Sequence, residues 1–237
     1  MRLDHYLAAA GVGSRTEVKK IIKKGLVCVG GIVCKDPGMS VDDGNAIVTC
    51  RGSVIKYEEY VYFMLNKPQD VISASRADLK NKSQVCVIDL IEDEKHRNLF
   101  PVGRLDKDTE GFQLITDDGA LAHDLLSPRK HVDKTYYAEL REPLSEPDRL
   151  HLEAGIDIGD DKPTLPARIE MITASSINIT IHEGRYHQIK RMLEAVGNKV
   201  TFLKRISMGP LKLDESLAPG EYRRLTADEL AALRDRN

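Results

Sequence analysis

The densest run of chemically capable side chains is Gly103-Arg104-Leu105-Asp106-Lys107-Asp108-Thr109-Glu110-Gly111. Three acidic residues, Asp106, Asp108 and Glu110, fall within five positions beside Arg104 and Lys107. Such a run can bind a metal, supply carboxylates for acid–base or nucleophilic work, or simply solvate a turn. The spacing lacks the later ligands and the glycine position of an EF-hand calcium loop, which weakens the metal reading. Apolar pieces from Leu99 to Val102 and from Phe112 to Thr116 place the run in a polar loop between two strands, where functional side chains often sit.

A second stretch runs from Glu183 through Gly184-Arg185-Tyr186-His187-Gln188-Ile189-Lys190-Arg191 to Met192. It joins a predicted strand to a helix over 187–196, whose Ile189, Met192, Leu193 and Val196 recur at helical spacing and form one buried stripe. His187, Lys190 and Arg191 fall on the first turns, off that stripe. Backbone amides at a helix start together with cations suit an anion. A core or capping histidine is the ordinary alternative for His187.

The elements around these stretches are mixed. Further strands are predicted at 60–65, 113–116, 135–140, 167–172, 177–182 and 200–206, with helices at 120–126 and 146–154. Thr226 and Glu229 form a capping box that starts a last helix. The order shows no regular βαβ alternation, so the class is α+β.

The first 58 residues read as a separate small module. Leu3, Tyr6, Leu7 and Ala10 make one helical stripe, and Ser14 caps a second helix with Val18, Ile21 and Ile22 inside. Arg15, Lys19 and Lys23 share one face of that second helix by their i, i+4 spacing. Two short strands, 27–29 and 32–34, flank the Gly30-Gly31 turn, and 46–49 closes the module. The polar segment 51–59 reads as a linker, and a larger domain spans 60–237.

The 237 residues carry a net charge of −2, which by itself does not suggest nucleic acid. The distribution says more. One basic cluster holds Arg15, Lys19, Lys20, Lys23 and Lys24; a second holds Arg185, Lys190, Arg191, Lys199, Lys204 and Arg205. Acidic residues gather elsewhere, at Asp42–Asp43, Glu92–Asp93–Glu94 and Asp160–Asp161. Separated basic faces can grip phosphate on a near-neutral protein, although each cluster alone also fits a solvated helix face. Cys28, Cys34, Cys50 and Cys86 show neither zinc spacing nor a disulfide framework and read as reduced thiols of a cytoplasmic protein. No apolar run reaches the ~18 residues of a membrane span, and the opening apolar stretch reads as an amphipathic helix rather than a signal peptide.

In their order and separation these stretches resemble the RsuA-type pseudouridine synthases. Asn66-Lys67-Pro68 is similar to the first family motif, and Gly103 to Gly111, followed by Thr116-Asp117-Asp118-Gly119, to the second. Lys134-Thr135-Tyr136 is similar to the tyrosine motif, and Glu183 to Met192, followed by Ala195-Val196-Gly197-Asn198, to the third. The closing Leu217-Ala218-Pro219-Gly220-Glu221-Tyr222-Arg223 and the run Tyr62 to Pro68 most resemble the branch acting on small-subunit (16S) ribosomal RNA. The resemblance covers nearly the whole chain, and the N-terminal module resembles an αL-type RNA-binding domain. Two departures stand out. Asp70 occupies a position where the family usually has glycine, and Phe112-Gln113 replaces the usual aliphatic run.

The resemblance implies a mixed, mainly antiparallel sheet with flanking helices and an enzyme that isomerises uridine to pseudouridine in ribosomal RNA. It makes Asp106 the essential carboxylate, Lys190 its basic partner and Tyr136 a ring that stacks on the extruded uracil. Arg104 would enter the RNA to help displace the base or would hold phosphate. Arg185 and His187 would hold phosphate or the loop, and Leu203 would pack under the base. An aspartate is ordinarily ionised at neutral pH and can attack as a nucleophile or stabilise positive charge on a sugar. The expected partner is 16S rRNA or a small-subunit assembly intermediate, bound by a monomer. No cofactor and no metal are expected. The competing readings are a related enzyme acting on 23S rRNA, a non-catalytic rRNA-binding factor and, less well fitted to the basic clusters, a glycoside hydrolase using Asp106 and Glu110.

Overall fold

The structure, a computed structural model, describes residues 1–42, 46–79, 81, 83–92, 97–127 and 130–235. Of the acidic residues singled out above, Asp43, Asp93 and Glu94 lie outside the described residues. The chain divides into two compact units, Met1–Tyr60 and Val61–Asn237.

In the first unit, α1 (Leu3–Ala9) and α2 (Arg15–Lys23) pack with a four-stranded antiparallel sheet. Its strands are β1 (Val27–Val29), β2 (Ile32–Cys34), β3 (Val48–Cys50) and β4 (Ser53–Ile55), in the order β2-β1-β3-β4. The Ser14 side chain accepts from the Glu17 amide while Glu17 accepts from the Ser14 amide, so α2 begins in a closed capping box. Leu3, Leu7, Val18, Ile22, Val27 and Val48 are fully buried between helices and sheet. The segment expected to be a plain linker contains β4. Arg51 and Gly52 both take positive φ, 52° and 84°, a left-handed pair that turns β3 back on itself. Arg51 is a poor match to the Asn-Gly type of hairpin turn, so the local sequence does not mark this one.

The second unit is a nine-stranded sheet. Its strands are β5 (Tyr62–Lys67), β6 (Phe100–Pro101), β7 (Glu110–Thr116), β8 (Lys134–Leu140), β9 (Arg168–Thr173), β10 (Ser176–Ile181), β11 (Val200–Met208), β12 (Leu211–Lys212) and β13 (Tyr222–Arg224). The order is β13-β5-β7-β11-β8-β10-β9, with β6 beside β7 and β12 beside β11. All pairings are antiparallel except β7 with β11. Among the described residues of this unit the α-helices are α3 (Gly119–Leu126), α4 (Glu146–Ala154), α5 (Gln188–Ala195) and α6 (Ala227–Arg234). The arrangement is α+β, as expected.

Register across the sheet centre decides where the chemistry falls. Ile179 on β10 faces Tyr136 on β8, Tyr136 faces Arg205 on β11, Arg205 faces Gly111 on β7, and Gly111 faces Lys67 on β5. One row of five strands therefore carries an aromatic ring, a guanidinium and an ammonium. Gly111 is required in that row. Its φ is 99°, and a Cβ there would lie 2.2 Å from the Arg205 carbonyl oxygen. Ile189, Met192 and Leu193 of α5 are buried against Ile177, Ile179, Leu203 and Tyr136, so the predicted helical stripe seals this end of the core. No described helix is long and apolar enough to cross a membrane.

Candidate active site

The polar loop 102–109 lies between β6 and β7 and is tied from below by three neighbours. The Leu105 amide donates to Ser73 Oγ (3.1 Å), and that hydroxyl donates to Gln113 Oε1 (3.2 Å). Gln113, fully buried on β7, donates through Nε2 to the Val102 and Gly103 carbonyls at 3.1 and 3.2 Å. Lys67, also fully buried, caps the carbonyls of Pro68, Lys107 and Thr109 at 3.0, 3.1 and 2.8 Å. Burial pushes the Lys67 ammonium down to about 8, against the pull of Asp108, Asp106, Glu110 and Asp70. The Asp70 amide meets the Lys107 carbonyl at 2.9 Å, and Asp70 has φ 65°. That left-handed conformation accounts for the departure there, because aspartate tolerates it better than most residues that carry a Cβ.

Held in this way, the loop presents Asp106 to the start of α5. Lys190 Nζ lies 3.1 Å from Asp106 Oδ2 and 2.5 Å from Asp108 Oδ1. His187 Nε2 lies 3.5 Å from Asp106 Oδ1. Burial alone would lower the Lys190 value, but its hydrogen bonds to Asp108 and Asp106 outweigh burial and raise it. The same bond to Lys190 lowers Asp108. The cation serving the acidic run is thus a lysine side chain. Among the described residues no group of three or more His, Cys, Asp or Glu is arranged to hold a metal.

A cleft of about 760 Å³ opens over Asp106, with Tyr136, Arg104, Arg185 and His187 in its walls. Lys190 and Leu203 line the adjoining part. All seven side chains of the larger domain singled out from the sequence therefore meet at one place. Tyr136 is backed by the Arg205 guanidinium, 6.0 Å from its ring centroid. Arg205 is only 1% exposed and donates through Nε to the Phe112 carbonyl at 2.8 Å.

The second basic cluster is not the open phosphate-gripping face its composition suggested. Arg205 is buried and Lys190 is bound to two carboxylates. Arg185 donates to Glu183, to the Lys162 and Pro163 carbonyls and to Asp160. Arg191 donates to Asp160 and to the carbonyls of Ile158 and Tyr186. These two arginines strap the turn before α5 in place, so the loop-holding alternative for Arg185 fits its contacts better than phosphate. Arg104, by contrast, is exposed and pairs with no described residue. In the first unit Arg15, Lys19 and Lys23 are exposed on α2, Lys19 lying 3.8 Å from Asp4.

Gln113, Ser73, Lys67 and Arg205 support the site without being among the side chains that the sequence points to as catalytic or substrate-binding. For Arg205 a signal was available: strand alternation puts it on the same side of β11 as Leu203. For the others the contacts that join separate elements, Ser73 to Gln113 and Leu105 and Lys67 to the Lys107 and Thr109 carbonyls, span 32 to 42 positions of sequence, and no local pattern announces them.

Residues 61–195 match the RNA pseudouridylate synthase family, and residues 1–47 match the S4 domain. A Bacillus subtilis protein named uncharacterized RNA pseudouridine synthase YtzG is 49% identical over 240 residues, covering 99% of each chain. Ribosomal small subunit pseudouridine synthase A of Vibrio cholerae is 38% identical over 234 residues, 98% of this chain and 99% of that one. A solved structure described as a pseudouridylate synthase superposes with a TM-score of 0.68 at 36% identity, covering 98% and 99% of the two chains. With an S4 domain ahead of a cleft that gathers a carboxylate, a lysine and a tyrosine, this chain belongs to the RNA pseudouridine synthase family.

Proposed function

We propose that this enzyme isomerises one uridine of 16S ribosomal RNA to pseudouridine, with Asp106 as the reacting carboxylate. The observation that carries this reading is the placement of Asp106 against Lys190 and His187 at one wall of a cleft whose other wall holds Tyr136. The small-subunit target rests on full-length relatives that carry that substrate in their names.

The reaction breaks the bond from ribose C1′ to uracil N1, turns the base and joins C1′ to C5. One proton leaves C5 and one arrives at N1. There is no net redox change and no group donor, so the chemistry itself calls for no cofactor. The uridine has to leave the RNA stack to reach Asp106. Arg104, exposed at the cleft, fits the space a displaced base vacates. Tyr136, held rigid by Arg205 behind it, offers its ring to the uracil, and Leu203 packs beneath. Lys190, raised and therefore cationic, fixes the carboxylate and balances charge as the glycosidic bond breaks. Arg15, Lys19 and Lys23 on α2 supply phosphate contacts that hold the RNA without reading its sequence. The enzyme on this reading is a cytoplasmic monomer acting on rRNA or on a small-subunit assembly intermediate.

Mapping pseudouridines in ribosomal RNA from cells with and without the protein tests the proposal. Loss of a single modified site in 16S rRNA is expected. Loss in 23S rRNA would overturn the target, and an unchanged map would overturn the enzyme assignment.

A further inference from the structure

Tyr186 is 77% exposed, more than any other large apolar side chain described. It nevertheless does not swing freely. Its ring is stacked on His187, with centroids 3.9 Å apart and planes at 16°. Its carbonyl accepts from Arg191 Nη1 at 3.1 Å, and the preceding Arg185 is clamped to the Lys162 and Pro163 carbonyls. His187 sits at φ 48°, a left-handed conformation that non-glycine residues adopt only where surrounding contacts impose it. The turn therefore spends conformational freedom to hold an aromatic ring in water in the lining of the cleft to which Arg104 and Lys107 also belong. One face of that ring is covered by His187, and the exposure leaves the other open.

We propose that Tyr186 is a stacking platform for a second, unpaired nucleobase of the RNA, next to the uridine delivered to Asp106. Every base has a π-face, so a fixed aromatic ring with a free face takes an unstacked neighbour regardless of its identity. Extruding one nucleotide leaves its neighbours without a stacking partner. A ring beside the cleft replaces that partner, and Arg104 and Lys107 of the same lining would serve the intervening phosphates. His187 then does two things: it braces the ring and lies against Asp106, which links occupancy of the platform to the reacting carboxylate. The proposal rests on the reading of the cleft as a uridine site, but it concerns a different base and a different ring from Tyr136.

The test uses the full chain and short single-stranded uridine-rich RNA carrying one 2-aminopurine, whose fluorescence falls when it stacks on an aromatic ring. Wild type and Tyr186→Phe are expected to quench it on binding. Tyr186→Ala is expected to bind about tenfold more weakly and to lose the quenching. Equal affinity and equal quenching by Tyr186→Ala would overturn the platform, as would failure of the wild-type chain to quench any position of the label. Pseudouridine formation in 16S rRNA is read in parallel. Its absence, with quenching intact, would sink the 16S reading of the cleft and leave the platform standing.

Discussion

The Lys190 ammonium lies 3.1 Å from Asp106 Oδ2, joining the first turn of α5 to the loop ahead of β7 across 84 positions of sequence. The contact makes two motifs into one site. Lys190 also reaches Asp108, so removing either carboxylate leaves the lysine paired and the loop anchored.

That redundancy predicts the outcome at Asp106 itself. Asp106→Asn keeps the shape of the side chain and the Lys190–Asp108 pair but lacks the reacting carboxylate. RNA binding should remain within a few-fold of wild type while product formation falls by at least about 10⁴-fold. Turnover of tritium-labelled uridine in rRNA measures this, and activity near wild type would reject the role.

Lys190 should separate charge from geometry. Lys190→Met removes the cation that bonds both Asp106 and Asp108, and kcat should fall by about 10²- to 10³-fold. Lys190→Arg keeps the charge at a slightly different reach and should recover part of that loss. Equal losses in the two variants would show that charge is not what Lys190 contributes.

Gln113 is a departure from the family pattern that the fold uses. Its buried amide holds the Val102 and Gly103 carbonyls and receives Ser73, whose hydroxyl in turn holds the Leu105 amide. Gln113→Leu, although closer to the family pattern, strands these groups in this chain. A destabilisation of roughly 2–4 kcal/mol is expected by denaturant unfolding, with a lower kcat because the Asp106 loop loses its strut. A neutral effect on both would mean the loop is held without it.

Lys67 predicts a pH dependence of stability. Its folded value of about 8 lies below the ordinary 10.5, so between the two the unfolded chain binds more protons than the folded one. Stability then rises with pH across that window. The penalty is fully present below pH 8, amounts to roughly 3 kcal/mol at most, and is relieved as pH approaches 10.5. Comparing denaturant midpoints of wild type and Lys67→Met from pH 7.5 to 10 should show wild type gaining on the variant. A flat or falling difference would contradict the depressed value.

The sequence by itself determined the elements and most of the site's membership. Period and capping signals located α2, α5 and α6, because hydrophobic spacing and a Ser or Thr three residues before Glu act within one or two turns. The ordered motifs pointed to Asp106, Tyr136, Lys190, Arg104, Arg185, His187 and Leu203, and the structure brings all seven to one cleft. What only the tertiary structure decided is how those side chains are employed. Arg185 read as a holder of phosphate or of the loop, and Arg191 as one cation of a basic cluster, until Asp160 and the carbonyls of 158, 162 and 163 are seen to consume their donors. Arg205 read as part of a surface until the register of β11 between β8 and β7 placed it behind Tyr136. Net charge and motif order are properties of the chain. Whether a cation faces water, a carboxylate or a backbone oxygen depends on which distant strand the sheet lays beside it, and no local spacing encodes that.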